Sequence, residues 1–281
     1  MTADVGASVL SPAQERRLEA AHTALTRFNF QEAYDLYARV RSALPDGGVD
    51  VSDPTAARVA MGLALAAQHR TPSTPALIAE AEAIYAALAA DAEPALAARA
   101  LMNIGRLAEL SNYLGDPIDL ASAREAYQAL IDAHGYADIG QEAALRYADT
   151  LVQDLADPAG RAKAAAWLEA WIGDQPLGEM AYGSVIAEYL ARIEHREGRY
   201  AEAVAWFIRA DELGLAEPIV AGQIFWTIAK ISHERLNDPA TARRYYQKII
   251  DEAPRSGLAF EAELELRALD IQASANGGVA R

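Results

Sequence analysis

The sequence predicts an all-α fold: a right-handed α-solenoid, or superhelix, of about six helical hairpins closed by a capping helix. Three observations predict it. First, a segment of alanine, three residues, an aromatic or large apolar residue, two residues and a further apolar residue recurs six times. The copies are Ala33/Tyr37/Val40, Ala81/Tyr85/Leu88, Ala123/Tyr127/Leu130, Ala164/Leu168/Trp171, Ala203/Phe207/Ala210 and Ala242/Tyr246/Ile249. Their middle residues step by 48, 42, 41, 39 and 39 positions, and self-similarity at such a period marks a repeat array. Second, an alanine-rich amphipathic run precedes each copy. Third, no stretch alternates with period two for long enough to argue a strand.

Within each copy the i, i+4, i+7 spacing puts three side chains on one helical stripe, with alanine where helices approach closely and the aromatic filling the gap beside it. The first helices of the hairpins are expected near 12–27, 54–69, 94–111, 138–156, 177–196 and 218–236. Ser11-Pro12 with Gln14 reads as a capping box, and Asp53-Pro54 and Thr74-Pro75 as cap-plus-proline starts. Asp116-Pro117, Asp157-Pro158 and Asp238-Pro239 read as the turns inside three hairpins, where Asp accepts from orphan amides and Pro suits a first helical turn. Pro45, Pro94, Pro176 and Pro254 end four of the second helices, and Gly135 does so in the third hairpin. The hairpins are therefore placed at 12–46, 54–93, 94–135, 138–176, 177–215 and 218–254. Residues 257–272 read as a polar-faced cap, in which Leu258, Phe260, Leu264, Leu266 and Leu269 alternate with acids. Residues 11–272 are expected to form a single domain, between a flexible N-terminus (1–10) and a disordered tail (273–281).

This pattern resembles the tetratricopeptide repeat family over nearly all of residues 12–272. The resemblance is most specific at Gly198, Tyr200, Ala203, Phe207 and Ala210, which stand on the family's turn and second-helix positions. The last repeats, with Ala242, Tyr246, Ile249, Pro254 and Ser256, resemble those of bacterial cell-envelope assembly and coordination proteins. The first three units depart from the family in their longer spacing. The resemblance implies a non-catalytic scaffold that binds protein or peptide on the face formed by successive first helices.

Composition narrows the function further. Lys plus Arg number 25 against 40 for Asp plus Glu, a net charge of −15, which repels phosphate backbones, so no nucleic-acid partner is expected. The absence of cysteine removes disulfides, thiolate nucleophiles, cysteine-ligated metals and cysteine-borne lipid anchors. No apolar stretch reads as a membrane span and no N-terminal segment as an export signal; a cytoplasmic location is expected. Gly-x-Ser-x-Gly, phosphate-loop and dinucleotide-binding signatures are missing. His22, His69, His134, His195 and His233 fall in separate repeats, without the i, i+4 pairing that grips a metal on one helix. Neither catalysis, nor a metal, nor any other cofactor is expected. Trp167 and Trp171 lie one turn apart and read as packing between hairpins, and Trp206 as half-buried at a repeat edge.

The candidate binding residues are the polar and aromatic positions on the inward faces of the first helices. Arg99, Asn103 and Arg106 follow i, i+4, i+7 in the third unit, and Arg146 takes the Asn103-equivalent place in the fourth. Tyr189 and Arg192 follow in the fifth, Trp226 and Lys230 in the sixth. Such a stripe would invert the local sign of an acidic chain and suit an acidic peptide or a terminal carboxylate; the competing reading is ordinary ion pairing with glutamate-rich neighbours. Asn103 and Arg146 resemble two members of the family's carboxylate clamp, but Val59, Leu63 and Glu142 occupy the places of its other members. Two alternatives stand beside the peptide scaffold. One is a self-assembling or complex-subunit structural protein, signalled by an apolar patch at one end, with a homo-oligomer possible. The other is a small-ligand receptor or enzyme, signalled by a deep pocket of convergent acids.

Overall fold

The computed structural model describes residues 10–48, 50–215 and 218–277. The described residues form thirteen α-helices. These are α1 (Pro12–Thr26), α2 (Phe30–Arg41), α3 (Pro54–His69), α4 (Pro75–Asp91), α5 (Pro94–Ala108), α6 (Leu120–His134) and α7 (Asp138–Gln153). They continue as α8 (Gly160–Ile172), α9 (Gly183–Arg196), α10 (Tyr200–Leu213), α11 (Pro218–Glu234), α12 (Pro239–Glu252) and α13 (Gly257–Gly277). The chain divides into two compact units, residues 1–150 and 151–281. In the first, α1 packs on α2, α2 on α3, α3 on α4, α4 on α5 and α5 on α6. In the second, α8 packs on α9, α9 on α10, α10 on α11, α11 on α12 and α12 on α13. Each unit is thus a stack of consecutive helical hairpins, the α-solenoid arrangement.

The alanine-aromatic stripe forms the core. All of its residues in the six second helices are buried except Trp171, which is half-buried; Ile172 takes the buried place in α8. Each fully buried Tyr, Leu or Ile on the stripe contributes roughly 1.5–3 kcal/mol through removal of apolar surface from water. Two stripe tyrosines also tie the two helices of their hairpin together. Tyr85 Oη donates to Gln68 Oε1 at 2.9 Å and Tyr127 Oη to Glu109 Oε2 at 2.9 Å, both acceptors lying at the C-terminal end of the first helix. Close approach is made possible by glycine. A Cβ on Gly62 would stand 2.7 Å from the Tyr37 hydroxyl, and one on Gly105 would stand 2.6 Å from Tyr127 Cζ.

Helix starts follow the local chemistry. Ser11 and Gln14 form the capping box that opens α1, and Asp53, Thr74 and Asp238 cap α3, α4 and α12 ahead of a first-turn proline. Two expected caps are displaced. Asp116 accepts from the backbone and side chain of Asn112 within a loop, and Asp119 instead caps α6. Asp157 accepts from Ala159 N and pairs with Lys163, one turn ahead of α8. In both loops the proline sits before the helix rather than in its first turn. The fifth first helix starts at Gly183, not 177, because Leu177–Glu179 forms a 3₁₀ turn whose Leu177 carbonyl occupies the space a Gly183 side chain would need.

The C-terminal helix departs most from expectation. Its cap was expected to be polar-faced, yet Phe260, Leu264 and Ile271 are 66%, 47% and 70% exposed. Ala259, Ala262 and Leu269 are buried on the side that faces α11 and α12. One helix face holds only so many apolar residues, and α13 carries enough for a second stripe. The helix runs to Gly277, past the tail expected from 273, and residues 278–281 lie outside the described residues. So does the N-terminal segment expected to be flexible, apart from Leu10, which is buried.

Candidate binding surface

The eight candidate residues meet different fates. On α5, Arg99 is exposed and forms no ion pair with any described residue. Asn103, one turn on, is buried. Arg106 pairs with Glu142 of α7, its Nε atom buried and without an acceptor among the described residues. Arg146 of α7 donates from Nη1 to Glu109 Oε1 at 2.8 Å, and the Glu109 side chain is only 2% exposed. Glu109 also accepts from Tyr127, forming a triad that links α5, α6 and α7. Burial pushes the Glu109 carboxyl above the usual range, against the Tyr127 hydrogen bond and the Arg146 charge.

In the second unit Tyr189 is half-buried on α9, and Arg192 is held by Glu188 one turn earlier. Trp226 is half-buried and packs edge-to-face on Tyr246, with ring centroids 5.5 Å apart. Lys230 Nζ lies 5.7 Å from the Trp226 ring centre and pairs with Glu234 and, at 3.1 Å, with Glu265. The hydrogen bond to Glu234 holds the Lys230 ammonium above its ordinary range. Four of the five cationic candidates are therefore neutralised by carboxylates of their own unit; the ion-pair reading describes Arg106, Arg146, Arg192 and Lys230. Trp167 and Trp171, expected as packing residues, stack with centroids 6.5 Å apart and planes 7° from parallel.

Arg99 borders an open cavity of about 410 Å³ in the first unit. Three first helices line it at helical spacing: Leu18, His22 and Leu25 on α1; Arg58, Met61, Gly62 and Leu65 on α3; Leu96 and Arg99 on α5. Tyr37 of α2 closes it from behind. Arg58, like Arg99, is exposed and pairs with no carboxylate of the described residues; its Nε reaches the Pro54 carbonyl of its own helix. Sequence periodicity concealed this site, since an i, i+3, i+7 series such as Arg58, Met61 and Leu65 is also what a packed helix shows. The available signal was a lone arginine inside the alanine-rich run of α3. A smaller cavity of about 240 Å³ in the second unit is lined by Arg192, His195, Arg196, Phe207, Gln223, Ile224 and Thr227.

Two of the histidines pack against aromatic rings. His69 packs at a tilt against Phe30, ring centroids 5.2 Å apart, burial depressing its basicity, and His195 lies 5.9 Å from the Tyr200 ring. Among the described residues no group of His, Asp and Glu is placed to hold a metal ion, and no helix is long and apolar enough to cross a membrane.

Paired helices stacked in sequence, a buried alanine-aromatic stripe and a face shared by alternate helices define a tetratricopeptide-like helical repeat fold. Among solved structures the chain is similar to one titled as the functional characterization of PilF from Pseudomonas aeruginosa, a tetratricopeptide-repeat lipoprotein. The two share 17% identity and a TM-score of 0.50, over 90% of this chain and 97% of that one. At that identity the likeness concerns the fold. No protein-family model matches the sequence, and no curated protein matches it.

Proposed function

We propose that this chain is a non-catalytic scaffold that binds a protein or peptide partner across the first helices of its N-terminal unit. One observation carries this reading: α1, α3 and α5 together present an open, apolar-floored cavity of about 410 Å³ that no described side chain of the unit fills. Concave sites with an apolar lining and a few placed polar groups are where ligands dock, and in helical-repeat folds adjoining repeats create extended binding surfaces. The test is affinity capture on the full chain, with wild type beside Leu65→Glu and folding checked by circular dichroism. A partner retained by the wild type and lost by the variant supports the reading; equal retention contradicts it.

The exposed Phe260, Leu264 and Ile271 stripe favours a second reading, in which the chain is a subunit of a larger assembly. The three side chains lie on one face of α13 at the end of the second unit, and apolar groups left in water at such a position mark contact surfaces. Light scattering of the purified chain against Phe260→Lys tests it: a multimer that the substitution dissociates supports association through α13, and two monomers refute self-assembly.

A further inference from the structure

We infer that the N-terminal groove selects an acidic segment bearing large apolar side chains, which enter the groove while neighbouring carboxylates meet Arg58 and Arg99. This inference rests on the peptide-scaffold reading and specifies its partner.

Charge carries the argument. The chain has 40 acidic residues against 25 basic ones, so a surface drawn at random from it would be acidic. Among the described residues the groove is lined by Arg58, Arg99 and His22 and by no carboxylate. Two other arginines on the first helices of the unit are quenched: Arg106 by Glu142 and Arg146 by Glu109. Arg58 and Arg99 are left with exposed guanidiniums beside an apolar floor. An unpaired guanidinium is a planar multiple donor matched to a carboxylate, and its exposure avoids a desolvation cost that an arriving anion would have to offset.

The floor supplies the second half of the recognition. Leu18, Leu25, Met61, Leu65 and Leu96 come from three helices, and the Met61 thioether adapts to side chains of different shape. Met61 is itself only 7% exposed and belongs to the packed base of the groove. Gly62 keeps the floor deep by letting the Tyr37 ring sit where a side chain would stand. A lysine-rich segment of equal hydrophobicity would set its charges against Arg58 and Arg99, and an acidic segment without apolar side chains would leave the floor wet. The groove therefore discriminates by both terms at once.

The probe is a fluorescein-labelled peptide of the pattern Ser-Glu-Leu-Glu repeated three times, compared with peptides in which lysine replaces each Glu or serine replaces each Leu. Binding to the full chain is followed by fluorescence polarisation. The Glu/Leu peptide is expected to bind at least about tenfold tighter than either comparator, and weaker as salt screens the rim. Arg58→Ala and Arg99→Ala should each weaken it about three- to fivefold, the scale of a partly exposed ion pair. The double variant R58E/R99E, both positions being exposed, should invert the preference toward the Lys/Leu peptide. If the Lys/Leu peptide binds the wild type as well as the Glu/Leu peptide, or if the double variant leaves the preference unchanged, the acidic-segment inference falls while the scaffold reading survives. If none of the three peptides binds, the acidic-segment inference falls and the scaffold reading is decided by the Leu65→Glu capture; binding of decanoate alone would assign the groove to small amphiphiles and overturn both.

Discussion

Replacing Arg146 by alanine separates a structural arginine from a recognition one. Arg146 is the cation of the triad that buries Glu109 between α5, α6 and α7. Cutting one partner from a fully buried pair costs about 3–5 kcal/mol, because the other charge stays behind uncompensated. Here the Arg146 side chain is 38% exposed against 2% for Glu109, and the Tyr127 hydroxyl still donates to Glu109 at 2.9 Å. Solvent screening and the remaining bond bring the expected loss to about 1–2 kcal/mol.

The pH dependence fixes the mechanism. Burial already raises the Glu109 carboxyl in the folded chain, and losing the cation raises it further. A carboxyl whose folded value lies above its unfolded value of about 4.3 favours folding when protonated. Its contribution is therefore lost as pH rises from the unfolded value through the folded one. The gap between wild type and Arg146→Ala should thus be largest at neutral pH and shrink on acidification, as the raised Glu109 carboxyl takes a proton and no longer needs a cation. Amide exchange read by mass spectrometry over α5 and α6 reports it, each variant being compared with wild type at the same pH. Unchanged protection of those helices, or a gap that grows on acidification, would refute the reasoning.

Three further outcomes are expected. Gly62→Ala, although alanine is the better helix former, should lower the thermal midpoint, because its Cβ would stand 2.7 Å from the Tyr37 hydroxyl and overpacking costs about 1–3 kcal/mol; a raised midpoint would show that Tyr37 moves freely. Asp211→Ala should destabilise the second unit by about 1–3 kcal/mol, since Tyr245 Oη at 2.9 Å and Lys248 both lose their acceptor. Urea unfolding followed by tryptophan emission suits this test, all four tryptophans lying in that unit. Phe260→Lys should leave the unfolding midpoint within about 0.5 kcal/mol of wild type, as an exposed substitution does; a larger loss, read by the same urea titration, would place Phe260 in the core.

The helices were legible because packing and sequence share a period. An alanine at i and an aromatic at i+4 are demanded by the close contact of two helices, so the stripe from Ala33 to Ile249 marks the hairpins directly. Caps were legible where the acceptor and proline adjoin the first turn, as at Asp53 and Asp238. They were misplaced at Asp116 and Asp157, where the same dipeptide builds a loop one turn early. The binding surface was harder to read because an arginine on a helix face carries no record of its partner. Arg99 and Arg106 share a stripe, yet Glu142 reaches only the second. Tertiary neighbours decide which guanidinium stays free, and Glu142 and Glu109 lie 36 and 37 residues from the arginines they hold. The apolar lining was concealed for the opposite reason, since Leu18, Met61 and Leu65 have the spacing of a core.

The most direct test of the groove is a methyl NMR titration of the methionine-labelled chain with the Glu/Leu peptide. The chain has four methionines; Met61 lines the groove, Met102 is buried outside its lining, and Met180 belongs to the second unit. The account predicts that the Met61 signal shifts in a saturable way while those of Met102 and Met180 hold still. A Met180 shift with Met61 unmoved would place the binding surface in the other unit and contradict it.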